Sequence, residues 1–251
     1  MGLWSSIKRA VKRAVKAVVS AVVEIVSRVI RIVTTVLTYL GILDLKTLRL
    51  RVLILRRSNG SPLATPAEVL PVVERAKEIL RGSARIRLVP TSGDFVLTIN
   101  EFGPDVPEQA LHLRGAGAVI LDQLGVAGEF FDDMIAKYHS AATFPFNFPT
   151  TPITCFIVED IDGGLSGIAM PVFGNWFAIR ASRLAPTPVP GPDPGAVVFS
   201  SIMAHELGHC MGLFFHRDDP ANLMFAPDER GVNLTQGQLV IARSARCVSV
   251  F

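Results

Sequence analysis

The run His205-Glu206-Leu207-Gly208-His209-Cys210-Met211-Gly212-Leu213-Phe214-Phe215-His216 constrains the chain more than any other stretch. Histidines at i and i+4 of a helix lie one above the other on the same face, roughly 6 Å apart along the axis. Both imidazoles can then reach one ion. Zinc takes neutral histidine nitrogens in a tetrahedral site, and a reactive site keeps one position open for water. Glu206 sits about 100° around the helix from His205, where a carboxylate takes a proton from that water. Gly212 can adopt the left-handed conformation that ends a helix, so the chain can turn back and bring His216 as a third ligand.

This pattern resembles the metzincin clan of zinc peptidases, HExxHxxGxxH followed by a methionine turn. Here three residues rather than two separate Gly212 from His216, and Phe215 stands at the expected ligand position. Either the turn carries a one-residue bulge that delivers His216, or the third ligand is lost. The bulge is favoured, because Arg217 to Phe225 looks like the segment leading into the methionine turn and leishmanolysin-like members tolerate insertions after this glycine. The resemblance implies that Met224 lies beneath the zinc as a hydrophobic floor. Ala226 occupies the position where astacin- and serralysin-like members carry a tyrosine, so no tyrosine role carries over. Asp218 and Asp219 are alternative ligands, although their commoner role is a solvated turn.

The same resemblance implies an α/β fold with a mixed sheet over residues 46–251, Zn2+ as cofactor and endopeptidase activity on peptide or protein substrates. Leu165 to Pro171 resembles the clan's edge strand above the zinc. Gly167, Ile168 and Ala169 would then bind substrate, because an edge strand offers unpaired backbone groups to an extended peptide.

The net charge of +3 is unevenly placed. Residues 1–45 hold seven cations against two acids, leaving the remainder at −2, so nucleic-acid binding by the main domain has no electrostatic support. Cys155, Cys210 and Cys247 are too few for a disulfide framework. Cys210, about 100° round the helix from His209, reads as packing.

From Trp4 to Tyr39, apolar residues recur at Ile7, Val11, Val15, Val18, Val22, Ile25, Val29, Ile32 and Val36, one face of a long amphipathic helix. The opposite face is polar. Three partners fit such a stripe: an anionic membrane surface, another copy of the helix, or the catalytic domain. The basic first half, whose opening resembles cationic membrane-active peptides of the frog-skin type, favours the membrane. Glu24, Arg28 and Arg31 interrupt the apolar run, which argues against a full span, and no cleavable signal peptide is expected. The expectation is a membrane-associated protein.

Further along, Leu48 to Leu55 reads as a strand. Thr65-Pro66-Ala67-Glu68 is a capping box opening a helix that runs to Gly82. Strands are expected at Arg85–Val89, Phe95–Ile99, Ile153–Val158 and Trp176–Arg180, with a helix from Glu129 to His139. Phe144 to Pro149 reads as a core edge or a cleft-lining loop, and His112 and His139 as structural or exposed. Asp193 and Pro194 are expected to cap and open the histidine-bearing helix, and Thr235 to Gln238 to open the final one.

Overall fold

The structure, a computed structural model, describes residues 33, 45–91, 93–98, 106–115, 124–138, 152–169, 175–188 and 197–249. The helix expected over residues 1–45, the Phe144 to Pro149 loop, Ile99, His139, Asp193 and Pro194 lie outside the described residues. Among the described residues no helix is long and apolar enough to cross a membrane.

The architecture is mixed α/β, a seven-stranded sheet built outward from β1 (Lys46–Ile54). Along one edge of β1 run two parallel strands, β2 (Ile86–Pro90) and β3 (Val96–Thr98). Its other edge carries β4 (Ile153–Val158) in parallel and, near its start, β7 (Val248–Ser249) antiparallel. β4 pairs in parallel with β6 (Trp176–Arg180), and β5 (Gly167–Ala169) closes that side antiparallel to β6. Parallel strands covered on both faces are apolar on both. Leu50, Val52, Leu53 and Ile54 are accordingly all buried.

Helix α1 (Pro66–Ala84) begins where the capping box is complete: Glu68 N donates to Thr65 Oγ1, and the Glu68 carboxylate accepts from Thr65 N at 2.7 Å. It continues past Gly82, because Arg85 takes the left-handed conformation at φ 52° and ends it. Helix α2 (Val126–Tyr138) starts three residues before the expected Glu129 and docks through Phe131. That ring stacks on Phe156 at 4.3 Å and tilts against Trp176 at 4.6 Å between centroids. Such aromatic contacts add about 0.5–1.5 kcal/mol each beyond area burial.

Helix α3 (Ile202–Cys210) carries the histidines and packs on α1, β5 and β6. Its N-cap is Ser201, eight residues beyond the expected Asp193. The correction has a tertiary cause: Val197–Val198 pairs antiparallel with Thr187–Pro188, which holds the chain extended until just before the helix. Helix α4 (Gln236–Arg243) opens on the Thr235 capping box.

Two buried cations cross-cap these helices. Arg243 Nη1 donates to Ala84 O and Arg85 O at 3.0 and 3.2 Å, at the end of α1. Lys46 Nζ donates to Arg243 O at 2.6 Å, at the end of α4. Cations at helix C-termini meet carbonyls that lack intrahelical partners.

Candidate metal centre

The nine residues of α3 present His205 and His209 on one face, and a Schellman turn follows. Gly212 stands at φ 91°, Gly212 N donates to His209 O at 2.9 Å, and Leu213 N donates to Gly208 O at 3.0 Å. The extra residue is absorbed in this turn. Phe215 points outward at 81% exposure and Phe214 stands at the cleft mouth at 52%, so the chain arrives with His216 facing the helix. The His216 ring centroid lies 5.2 Å from that of His205 and 5.1 Å from that of His209. Side-chain nitrogens of the three histidines all lie within 4.8 Å of one another.

The orientation of the first two rings is imposed from behind. His205 Nδ1 donates to Leu223 O and His209 Nδ1 donates to Leu213 O, each at 2.8 Å. A carbonyl only accepts, so each Nδ1 carries the ring proton and each Nε2 bears a lone pair. Those two Nε2 atoms lie 3.2 Å apart. No proton is left to bridge them in the neutral rings, so two lone pairs face each other unless a cation sits between. Two nitrogens bound to one tetrahedral zinc at about 2.0–2.1 Å each are about 3.3 Å apart, so the donor set fits that ion. Burial drives His205 down to about 3, with Arg230 adding to it, and His209 down to about 4; His216 is lowered too, again mainly by burial. All three are therefore neutral, the form that ligates.

Glu206 is 3% exposed. Its carboxylate lies directly under Gly167 of β5, where an added Cβ would stand 2.8 Å from Glu206 Oε1. Desolvation pushes its pKa up to about 8, while Arg230 pulls in the opposite direction. A bound dication would pull it down further. Met224, fully buried, packs on α3 through Gly208, whose added Cβ would meet Met224 Sδ at 2.6 Å.

Histidines, Glu206 and β5 share a cleft of about 550 Å³. One wall is Gly164 to Ala169, and the facing wall is Ala226, Pro227, Asp228 and Arg230. Gly212 and Met224 support this cleft from behind rather than lining it. Among the described residues the metal-compatible cluster is His205, His209 and His216; Asp218 and Asp219 are exposed, and Asp219 Oδ1 accepts from Ala221 N at 2.9 Å within a turn. His112 lies apart, 3.0 Å from Glu108. Cys155, Cys210 and Cys247 are free.

Two residues of the cleft, Asp228 and Arg230, were not expected from the sequence, nor was the partner of Ser166 in the expected edge strand. Ser166 Oγ donates to Asp228 Oδ2 at 2.8 Å, joining the two walls. Arg230, its side chain 2% exposed, donates through Nε to Phe225 O and Pro227 O and through Nη2 to Ala226 O. A lone arginine 14 residues after His216 has no spacing signal, and only its position in a Pro-Asp-Glu-Arg turn sets it apart.

No family model and no curated protein matches the chain. Among solved structures, it is similar to a zinc-dependent peptidase from Methanocorpusculum labreanum at 15% identity and a TM-score of 0.42, covering 76% of this chain and 99% of that one. It is also similar to metalloproteinase-II from Bacteroides fragilis at 14% identity and a TM-score of 0.39, covering 76% of this chain and 51% of that one.

Proposed function

We propose that the chain is a zinc-dependent peptidase with His205, His209 and His216 as ligands and Glu206 as general base. The observation that carries this reading is the 3.2 Å approach of two unprotonated Nε2 atoms whose rings are locked by backbone carbonyls. When bound, the metal supplies a Lewis acid that lowers the pKa of water and polarises a carbonyl. This chain's residues do the rest. An extended peptide lies along Gly167, Ile168 and Ala169 as an added strand. Glu206, held beneath Gly167, takes a proton from the attacking water and returns it to the departing amine. Residues 46–251 form the catalytic unit, and the amphipathic pattern of residues 1–45 supports its concentration at a membrane surface, with self-association as the alternative use of that stripe.

The test combines metal content by mass spectrometry with hydrolysis of a mixed peptide library. Wild type should hold one zinc and cleave, Glu206→Gln should hold zinc and not cleave, and His216→Ala should lose both. Hydrolysis retained in Glu206→Gln would refute the assignment of the base, and full zinc content in His216→Ala would remove the third ligand.

A further inference from the structure

The two walls of the cleft are not independent. Ser166, at the entry to β5, is bonded to Asp228 on the opposite wall, and Asp228 is shared by two guanidinium groups, Arg183 at 3.1 Å and Arg230 at 3.3 Å. This strut joins the two walls at Ser166, with Gly164 and Leu165 lining the cleft beyond it. Its position relative to a bound peptide follows from strand direction. β5 pairs antiparallel with β6, its other edge pairs with no strand among the described residues, and a peptide added antiparallel to that edge runs with its C-terminus toward Ser166.

The distance left before the strut is short. Glu206 lies under Gly167, so the bond under attack is near that residue, and Ser166 is the next position. A strand rises about 3.4 Å per residue, which leaves room for about one or two residues beyond the bond. Arg183 and Arg230 share Asp228, but Arg183 and Glu229 both line a neighbouring cavity, so the cation that lines the cleft itself is Arg230. Its buried Nη1 has no hydrogen-bond partner. A buried cationic donor left unpaired is costly, and a carboxylate is its strongest acceptor.

We propose that this cleft accepts peptides with a free C-terminal carboxylate, received at Arg230 against the Ser166–Asp228 strut, and removes a short C-terminal piece. The proposal rests on the peptidase reading and replaces the endopeptidase expectation with an exopeptidase. Hydrolysis there adds one water across the amide: a C–O bond forms at the carbonyl carbon, the C–N bond breaks, and the proton taken by Glu206 ends on the departing amine.

The experiment uses the full chain loaded with zinc and pairs of acylated peptides identical except for a free or amidated C-terminus. Binding is read by calorimetry on Glu206→Gln, which removes turnover, and cut positions are read by mass spectrometry on wild type. The free acid should bind about tenfold tighter or better than the amide, the worth of one charge-assisted hydrogen bond. That ratio should fall toward one with Arg230→Met added and recover in part with Arg230→Lys, and cuts should fall within about two residues of the C-terminus. Ser166→Ala, which removes the strut but leaves Arg230, should move cuts inward. Equal binding of acid and amide, or cuts spread through the interior of long peptides, would overturn the proposal while leaving the peptidase standing. Acid-selective binding without hydrolysis in wild type would keep carboxylate recognition and sink the peptidase. If Arg230→Met does not fold, the acid-to-amide ratio of the parent protein and the Ser166→Ala cut pattern decide the matter.

Discussion

Asn222 and Gln238 exchange both halves of their side-chain amides: Asn222 Nδ2 donates to Gln238 Oε1 at 2.9 Å, and Gln238 Nε2 donates to Asn222 Oδ1 at 3.1 Å. Both residues are buried. The same oxygens are used twice, since Met224 N donates to Asn222 Oδ1 and Thr235 N donates to Gln238 Oε1, each at 2.9 Å. One amide pair therefore joins the loop beneath the histidines to the first turn of α4.

Asn222→Ala should destabilise the chain by about 2–3 kcal/mol, because it strands a buried amide and a backbone N–H. The loop also supplies Leu223 O to His205, so zinc affinity should drop about 10- to 100-fold. Urea unfolding and competition with a zinc chelator measure the two effects. A double-mutant cycle with Gln238→Ala should show a coupling energy; additive effects would contradict the pairing.

Gly167→Ala should leave the metal in place and cut turnover. Its Cβ would fall 2.8–3.0 Å from three atoms of the Glu206 side chain, and a misplacement near 1 Å costs about 100-fold in rate. Zinc content equal to wild type with kcat lowered is the expected result; unchanged kcat would mean that Glu206 has free room to shift.

Gly208→Ala tests the other side of the same helix. Its Cβ would press on the buried Met224 sulfur at 2.6 Å, costing about 1–3 kcal/mol by overpacking. Thermal unfolding should show Gly208→Ala to be less damaging in a Met224→Ala background than in wild type. Equal penalties in both backgrounds would place the strain elsewhere.

Stability of the metal-free chain should peak near pH 6.5. Unfolded histidines protonate near 6.5 and the folded His205 and His209 only near 3 and 4, so below 6.5 the unfolded chain holds more protons and stability falls with falling pH. Glu206 has the opposite sign: it keeps its proton up to about 8 when folded against 4.5 when unfolded, so it removes stability as pH rises through that range. Two histidines outweigh one carboxyl below 6.5, and above it Glu206 acts alone until Lys46, pushed down to about 8 by burial, begins to titrate. Zinc favours the ionised carboxylate, so the loaded chain should lack the decline between 6.5 and 8. Calorimetric scans with chelator and with zinc give both profiles; a metal-free profile flat from about pH 5 to 8 would refute the linkage.

What could be read from the sequence was local. The Thr65 and Thr235 boxes and the Gly212 turn are formed within three to five residues of chain, so their chemistry appears as spacing. Asp193-Pro194 has an equally good local signal for a helix start, and the pairing of Val197–Val198 with Thr187–Pro188 overrode it. Gln238 and Asp228 are polar residues that take partners from elsewhere in the fold. Gln238 meets Asn222, 16 residues away, and Asp228, which binds Arg230, also meets Ser166, 62 residues away. No periodicity marks such partners in advance.

The sheet has one further consequence, for the order in which the molecule can be made. β1 is among the earliest described segments to leave a ribosome, yet its neighbours come from residues 86 through 249, and Thr47 pairs with Ser249. Contacts of such long sequence separation are slow to form, because the intervening loop must close before they stabilise anything. A growing chain that has already exposed His205, His209 and His216 still lacks α4, the Gln238 amide and the last strand. The histidines therefore become available to metal in solution before the protein that orients them is complete, and tight binding should arise only once synthesis has passed the C-terminal strand.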